Sequence, residues 1–244
     1  MIKLLWYTYF AFFVLFHTCI AKIKSFFISK KSIEAADDYL FQKAQHMCNF
    51  LLKKSKTTTH VSGLENIPEG PVVFVSNHQA MFDGFLIIGN VGKHTGFIAK
   101  KEILKIPVLP FWFKAIKTVF IDRSNIREGM KAINEGVERL KSGYSMLIFP
   151  EGTRSLKSEM IDFKKGSIKL ALKANVPIVP ITVDGTYRVL EVGKQVTGHS
   201  IAMIVHKPIY IDQLSIEEKK NLTETLHHTI ETSLTKLVKD KITH

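Results

Sequence analysis

The sequence predicts an α/β fold: a mostly parallel sheet flanked by helices, with an N-terminal two-helix membrane-associated motif. Three observations carry this. Short apolar runs of strand length alternate with segments whose apolar residues recur at helical spacing. The most apolar stretch, Leu4 to Ile20, stands apart at the amino-terminal end. A chain of 244 residues holds one sizeable domain plus an appendage. The division expected is residues 1–56 for the N-terminal helices and residues 57–244 for the main domain.

Leu4 to Ile20 reads LLWYTYFAFFVLFHTCI, at the lower length limit for a membrane-spanning helix. Trp6, Tyr7 and Tyr9 suit an interfacial position, and Lys22, Lys24, Lys30 and Lys31 follow. Cys19-Ile20-Ala21 is a poor cleavage site, and Phe16-His17-Thr18 lacks the small residues of a lipoprotein attachment site. A short spanning anchor and a helix lying in the interface both remain. If the segment spans, the lysines place the rest of the chain on the cytoplasmic side. Ser32 is positioned to cap a second helix with an apolar stripe at Ile33, Ala36, Tyr39, Leu40, Ala44, Met47, Cys48, Leu51 and Leu52. That helix is expected to dock on the membrane; a core helix is the alternative.

Beyond it, strands are expected at 71–76, 96–99, 118–121, 145–149, 178–183 and 201–205. Helices are expected after Asp83, from Ser124 to Gly143, over 166–174 and over 222–237, where the apolar residues keep a 3.6-residue rhythm. Ile103 to Phe113 is apolar but broken by Pro107 and Pro110, which excludes a regular spanning helix. It reads as buried loop or as a hydrophobic wall.

Composition excludes several classes. Hydrophobic residues make up 45% and charged residues 23%, which argues against disorder. The formal charge of +12 suits an anionic partner such as a phospholipid surface or a phosphorylated substrate. No nucleic-acid-binding signature accompanies it, so no nucleic acid partner is expected. Cys19 and Cys48 have no CxxC partner, so neither a metal site nor a disulfide framework is expected.

Four blocks carry chemistry. The first is Asn77-His78-Gln79-Ala80-Met81-Phe82-Asp83. On one helix, His78 and Asp83 would lie roughly 140° apart around the axis. They meet only if His78 sits in the turn after a strand and Asp83 in the first turn of the next helix. A carboxylate can then hold one imidazole nitrogen protonated, leaving the other to take a proton from a hydroxyl. No G-x-S-x-G elbow occurs, so the nucleophile would be a substrate hydroxyl or water. The second block is Phe120-Ile121-Asp122-Arg123 and the third Phe149-Pro150-Glu151-Gly152-Thr153-Arg154-Ser155, both at expected strand ends, where α/β sheets bind ligands. Arg123 and Arg154 are cations suited to a phosphate. The fourth is Val176-Pro177-Ile178-Val179-Pro180, a rigid lead into a buried strand.

Over about residues 60 to 210, these blocks in this order resemble the glycerol-phosphate acyltransferase superfamily, and most closely its 1-acyl-sn-glycerol-3-phosphate acyltransferases. Ala99-Lys100-Lys101-Glu102-Ile103-Leu104 and Phe163-Lys164-Lys165-Gly166 are similar to further family elements. The resemblance implies transfer of a fatty acyl group from acyl-ACP or acyl-CoA as co-substrate to lysophosphatidic acid, with no other cofactor. It implies His78 as general base and Asp83 as its orienting partner. Arg123 and Arg154 would hold the acceptor's phosphate, Lys100 would assist, and Glu151, Gly152 and Thr153 would complete the acceptor site. Glycerol 3-phosphate, another lysophospholipid or a lyso-aminolipid is the alternative acceptor.

Overall fold

The computed structural model describes residues 2–122, 126–164, 166–193 and 196–242. The chain opens with α1 (Ile2–Ser29) and α2 (Ile33–Lys54). The main domain then runs β1 (Thr58–Ser62), β2 (Val73–Ser76), α3 (Phe82–Asn90), β3 (Thr95–Lys100), α4 (Leu109–Ala115), β4 (Val119–Ile121), α5 (Ile126–Lys141) and β5 (Ser145–Ile148). It continues through α6 (Lys169–Ala174), β6 (Ile178–Asp184), α7 (Tyr187–Leu190), β7 (Ser200–Val205) and α8 (Ile216–Ile242).

The strands form one seven-stranded sheet in the order β1-β7-β6-β2-β5-β3-β4. Neighbours run parallel except β6 and β7, which pair antiparallel from Ile181↔Val205 to Asp184↔Ala202. All residues of β2, β5 and β6 are buried, which is why their apolar runs are continuous and not alternating. Within β2 the period of two still sorts side chains. Val73 and Val75 face a cluster with Leu140, Met146, Leu170 and Ile230 from the side of α5, α6 and α8. Phe74 faces Leu86, Ile87, Leu147 and Val179 on the side of α3. Helices therefore cover both faces, as the mostly parallel sheet requires.

Three elements go beyond the sequence expectation. Strand β1 is a mostly exposed edge strand whose Thr-Thr-His-Val-Ser run has no apolar signature. Helix α4 begins one residue before Pro110, which is tolerated in a first turn. The segment 103–113 is therefore neither plain loop nor plain wall: Trp112 is buried, while Leu104 and Ile106 are exposed. The short α7 lies between β6 and β7.

The N-terminal helices pack on one another and on the domain. Ser32 caps α2 as expected, its side chain accepting from Ala35 N–H at 3.0 Å. Asn49 Nδ2 donates to Gly89 O at 3.0 Å, and Leu52 enters the cluster around Phe74. The buried residues of α2 are Ala36, Phe41, Ala44 and Leu52: three lie on the expected stripe, Phe41 widens it, and Ile33 is exposed, so the stripe faces the domain. At the other end of the sheet, Asp37 accepts from Tyr144 Oη at 2.8 Å and pairs with Lys117 at 2.6 Å. Trp112 Nε1 donates to Thr18 Oγ1 at 2.8 Å, tying α4 to α1. Residues Ala11–Ser29 are long and apolar enough to cross a membrane, and Phe12, Phe16, Ile23, Phe26 and Phe27 are exposed.

Candidate active site

The two central strands, β2 and β5, both end at one edge of the sheet, and the loops that follow them meet there. Ser76 closes β2, the chain turns through Asn77, and His78 sits in that turn; Asp83 lies in the first turn of α3. This is the strand-turn-helix setting that the spacing demanded. His78 Nδ1 and Asp83 Oδ2 are 2.7 Å apart. Asp83 is fully buried, and the His78 side chain is 20% exposed, so the ring has one sheltered and one open edge.

Hydrogen bonds anchor this loop on several sides. Ala80 N–H donates to Asp83 Oδ2 at 2.9 Å, and Thr186 Oγ1 donates to Asp83 Oδ1. With Ala80 N–H and Thr186 Oγ1 both donating to it, the carboxylate is set to accept from Nδ1 as well, and in the neutral imidazole that tautomer leaves the lone pair on Nε2. The Asn77 side chain exchanges hydrogen bonds with Val183, giving 2.9 Å to its O and receiving 2.8 Å from its N–H, which locks the loop to β6. The His78 ring stacks on Phe149 at 4.0 Å between centroids.

The loop after β5 completes the floor. Gly152 has φ +72, a left-handed conformation that suits glycine, and its N–H closes a turn on Phe149 O at 3.0 Å. Glu151 was expected at the acceptor, yet its two oxygens accept from the backbone: Oε1 from His78 N–H at 2.7 Å and Oε2 from Ile161 N–H at 3.2 Å. The side chain therefore ties the His78 backbone to the loop around Ile161. Burial raises the Glu151 carboxyl from 4.5 to about 7, against the lowering effect of those two hydrogen bonds. Its folded-state value lies above the ordinary one, so the folded protein binds this proton more tightly than the unfolded chain. The stability from this linkage is full below about 4.5 and is lost as pH rises through about 7. Paired thermal melts are expected to show the wild type losing stability relative to Glu151→Gln across that window; parallel curves would remove Glu151 from the linkage.

Thr153 is exposed, and the Arg154 side chain is 49% exposed, its Nη1 3.3 Å from Glu191 Oε1. The same Glu191 oxygen accepts from Met81 N–H at 2.9 Å, so it joins the two loops. Lys100 ends β3 with an exposed side chain. Its neighbour Lys101 pairs with Asp122, the residue the sequence set beside Arg123. Arg123 itself lies outside the described residues.

Sequence reasoning missed Thr186, Glu191 and Gln79. Their partners lie 103 to 110 positions away in the chain, and no local spacing signals such pairs.

A family model for acyltransferases matches residues 58–184, more than half of the chain. The chain belongs to the acyltransferase family. Within that family it is 35% identical over 176 residues to the chloroplastic 1-acyl-sn-glycerol-3-phosphate acyltransferase BAT2 of Brassica napus, covering 69% of this chain and 51% of that one. It is 34% identical over 174 residues to the 1-acyl-sn-glycerol-3-phosphate acyltransferase of Borreliella burgdorferi, covering 70% and 69%. The chain thus spans about half the length of its chloroplast relatives. The fold is similar to the crystal structure of the 1-acyl-sn-glycerophosphate (LPA) acyltransferase PlsC from Thermotoga maritima, with a TM-score of 0.84 at 29% identity over 96% of this chain and 94% of that one. In this acyltransferase fold, the His78–Asp83 pair and the Arg154 loop share the edge where the sheet's central strands end.

Proposed function

We propose that this chain transfers a fatty acyl group from an acyl thioester, acyl-ACP or acyl-CoA, to the sn-2 hydroxyl of 1-acyl-glycerol 3-phosphate, giving phosphatidic acid for phospholipid synthesis. The observation that carries this reading is the 2.7 Å His78–Asp83 contact, which commits Nδ1 and leaves Nε2 without a hydrogen-bond partner among the described residues. His78 Nε2 takes the hydroxyl proton while the oxygen attacks the thioester carbonyl carbon. The tetrahedral intermediate collapses, the C–S bond breaks, and the thiolate takes up the proton to leave as a thiol. Backbone N–H groups near the start of α3 or around Gly152 are the candidate donors to the oxyanion. Holding both substrates against this edge supplies much of the rate.

Arg154, with Arg123 and Lys100, binds the acceptor's phosphate. A half-exposed guanidinium held by one carboxylate at 3.3 Å is oriented and still open to a second anion. Arg154→Ala is expected to raise the acceptor's KM about tenfold or more with a smaller change in kcat. An unchanged KM in initial-rate measurements would remove it from the phosphate clamp.

The exposed phenylalanines of α1 and the lysines that follow fit an anionic phospholipid membrane, with the main domain on its cytoplasmic face. Changing Phe12, Phe16 and Phe27 to Asp is expected to move the protein from the membrane pellet to the supernatant; full retention would place the contact elsewhere.

A further inference from the structure

We propose that Thr186 is a positioning residue for the His78–Asp83 pair: its hydroxyl fixes the Asp83 carboxylate from the side opposite His78. This rests on the general-base reading of His78 above. Thr186 lies two residues beyond the part of the chain that the family model matches and outside all four sequence blocks.

Topology brings it there. β6 pairs with β2 through Ser76↔Ile181, so the turn after β6 runs beside the loop that carries His78. Gly185, at φ +87, reverses the chain and delivers Thr186 fully buried at the start of α7. Thr186 Oγ1 then meets Asp83 Oδ1, while Oδ2 is occupied by His78 Nδ1 and Ala80 N–H.

Gly185 N–H is a backbone donor, 2.9 Å from Gln79 Oε1, so that Gln79 atom is the oxygen. Gln79 Nε2 accordingly donates to Asp184 Oδ1 at 3.2 Å, which also accepts from Ser158 Oγ at 2.6 Å. Two acceptors therefore surround the Thr186 hydroxyl: Gln79 Oε1 at 3.4 Å and the nearer Asp83 Oδ1. The hydroxyl proton goes to Asp83, the nearer acceptor and the charged one. With both carboxylate oxygens held by donors, the group cannot rotate, and Oδ2 stays aimed at Nδ1. Without the hydroxyl, Oδ1 becomes a buried charge lacking a donor, and the carboxylate turns or shifts to find one.

The test compares Thr186→Val and Thr186→Ala, which lack the hydroxyl, with Thr186→Ser, which keeps it. Two readings are taken on the full-length protein. The first is kcat and KM for acyl transfer. The second is the ring N–H proton resonance of His78 in substrate-free protein, assigned by its loss in His78→Ala. Val and Ala are expected to lower kcat roughly ten- to hundredfold with KM within about twofold, the scale of one hydrogen bond to a charged group. Both are expected to shift or broaden the resonance, and Ser is expected to restore both readings. A resonance unmoved in Val and Ala, a kcat within about twofold of wild type, or failure of Ser to restore either would overturn the proposal. If the wild type transfers no acyl group to any acceptor, the reaction assignment fails instead, and the resonance alone decides the role of Thr186.

Discussion

Replacing His78 with alanine is expected to lower kcat about 1,000-fold while leaving the fold intact. The size follows from what general-base catalysis contributes, about 100- to 10,000-fold. At neutral pH the acceptor hydroxyl is a poor nucleophile, and Nε2 is the only candidate base in the pair, because Nδ1 is committed to Asp83 at 2.7 Å. The fold should tolerate the change. The His78 backbone holds the loop through N–H to Glu151 and through O from Ser155 N–H at 2.8 Å, and both survive the substitution. The side chain loses only its stack on Phe149 and its bond to Asp83. Thermal melts run beside the kinetics separate a chemical effect from a folding one. Residual activity near one tenth of wild type would sink the general-base role.

Asp83→Asn is expected to lower kcat about 100-fold or more with little change in either KM. The amide is the same size as the carboxylate, but it must place an NH2 group toward one of three donors. Turned toward Thr186, whose hydroxyl can reverse, the amide keeps the His78 contact and removes only the charge. Facing Nδ1, it forces the imidazole proton onto Nε2 and abolishes the base. In both cases the imidazolium formed during reaction lacks its counter-charge. Asp83→Ala takes the acceptor from Ala80 N–H and His78 Nδ1 and leaves the Thr186 hydroxyl only the 3.4 Å contact to Gln79 Oε1, so a larger loss of stability accompanies it. Equal kcat for wild type and Asp83→Asn would show that the carboxylate only supports the loop.

Much of this was legible in the sequence, for reasons specific to certain residues. The fully buried strands β2, β5 and β6 write themselves as Val-Phe-Val, Met-Leu-Ile and Ile-Val-Pro-Ile runs. The five-residue interval from His78 to Asp83 admits one geometry in which they touch, and the structure has it. Family-level recognition added Glu151, but not its action through the backbone of His78 and Ile161. Strand β1 stayed hidden because an exposed edge strand needs no apolar residues. The antiparallel pairing of β6 with β7 depends on the reach of the 185–199 connection, which has no periodic signal. Thr186 and Glu191 were silent for a related reason. Their role comes from β6 and α7 lying against the β2–α3 loop, a contact made by topology. The position of α2 was set by Asn49, Leu52 and Asp37 meeting partners on α3, in the core and at the far end of the sheet, which a helical stripe alone does not specify.

In the proposed reaction His78 activates a lysophosphatidate hydroxyl against an acyl thioester. The most direct measurement uses detergent-purified protein, a labelled acyl thioester and 1-acyl-glycerol 3-phosphate, following thiol and phosphatidic acid together. Equimolar formation of both by the wild type, absent without the acceptor and lost in His78→Ala, is the predicted result. Thiol release without phosphatidic acid, or equal product from His78→Ala, would contradict it.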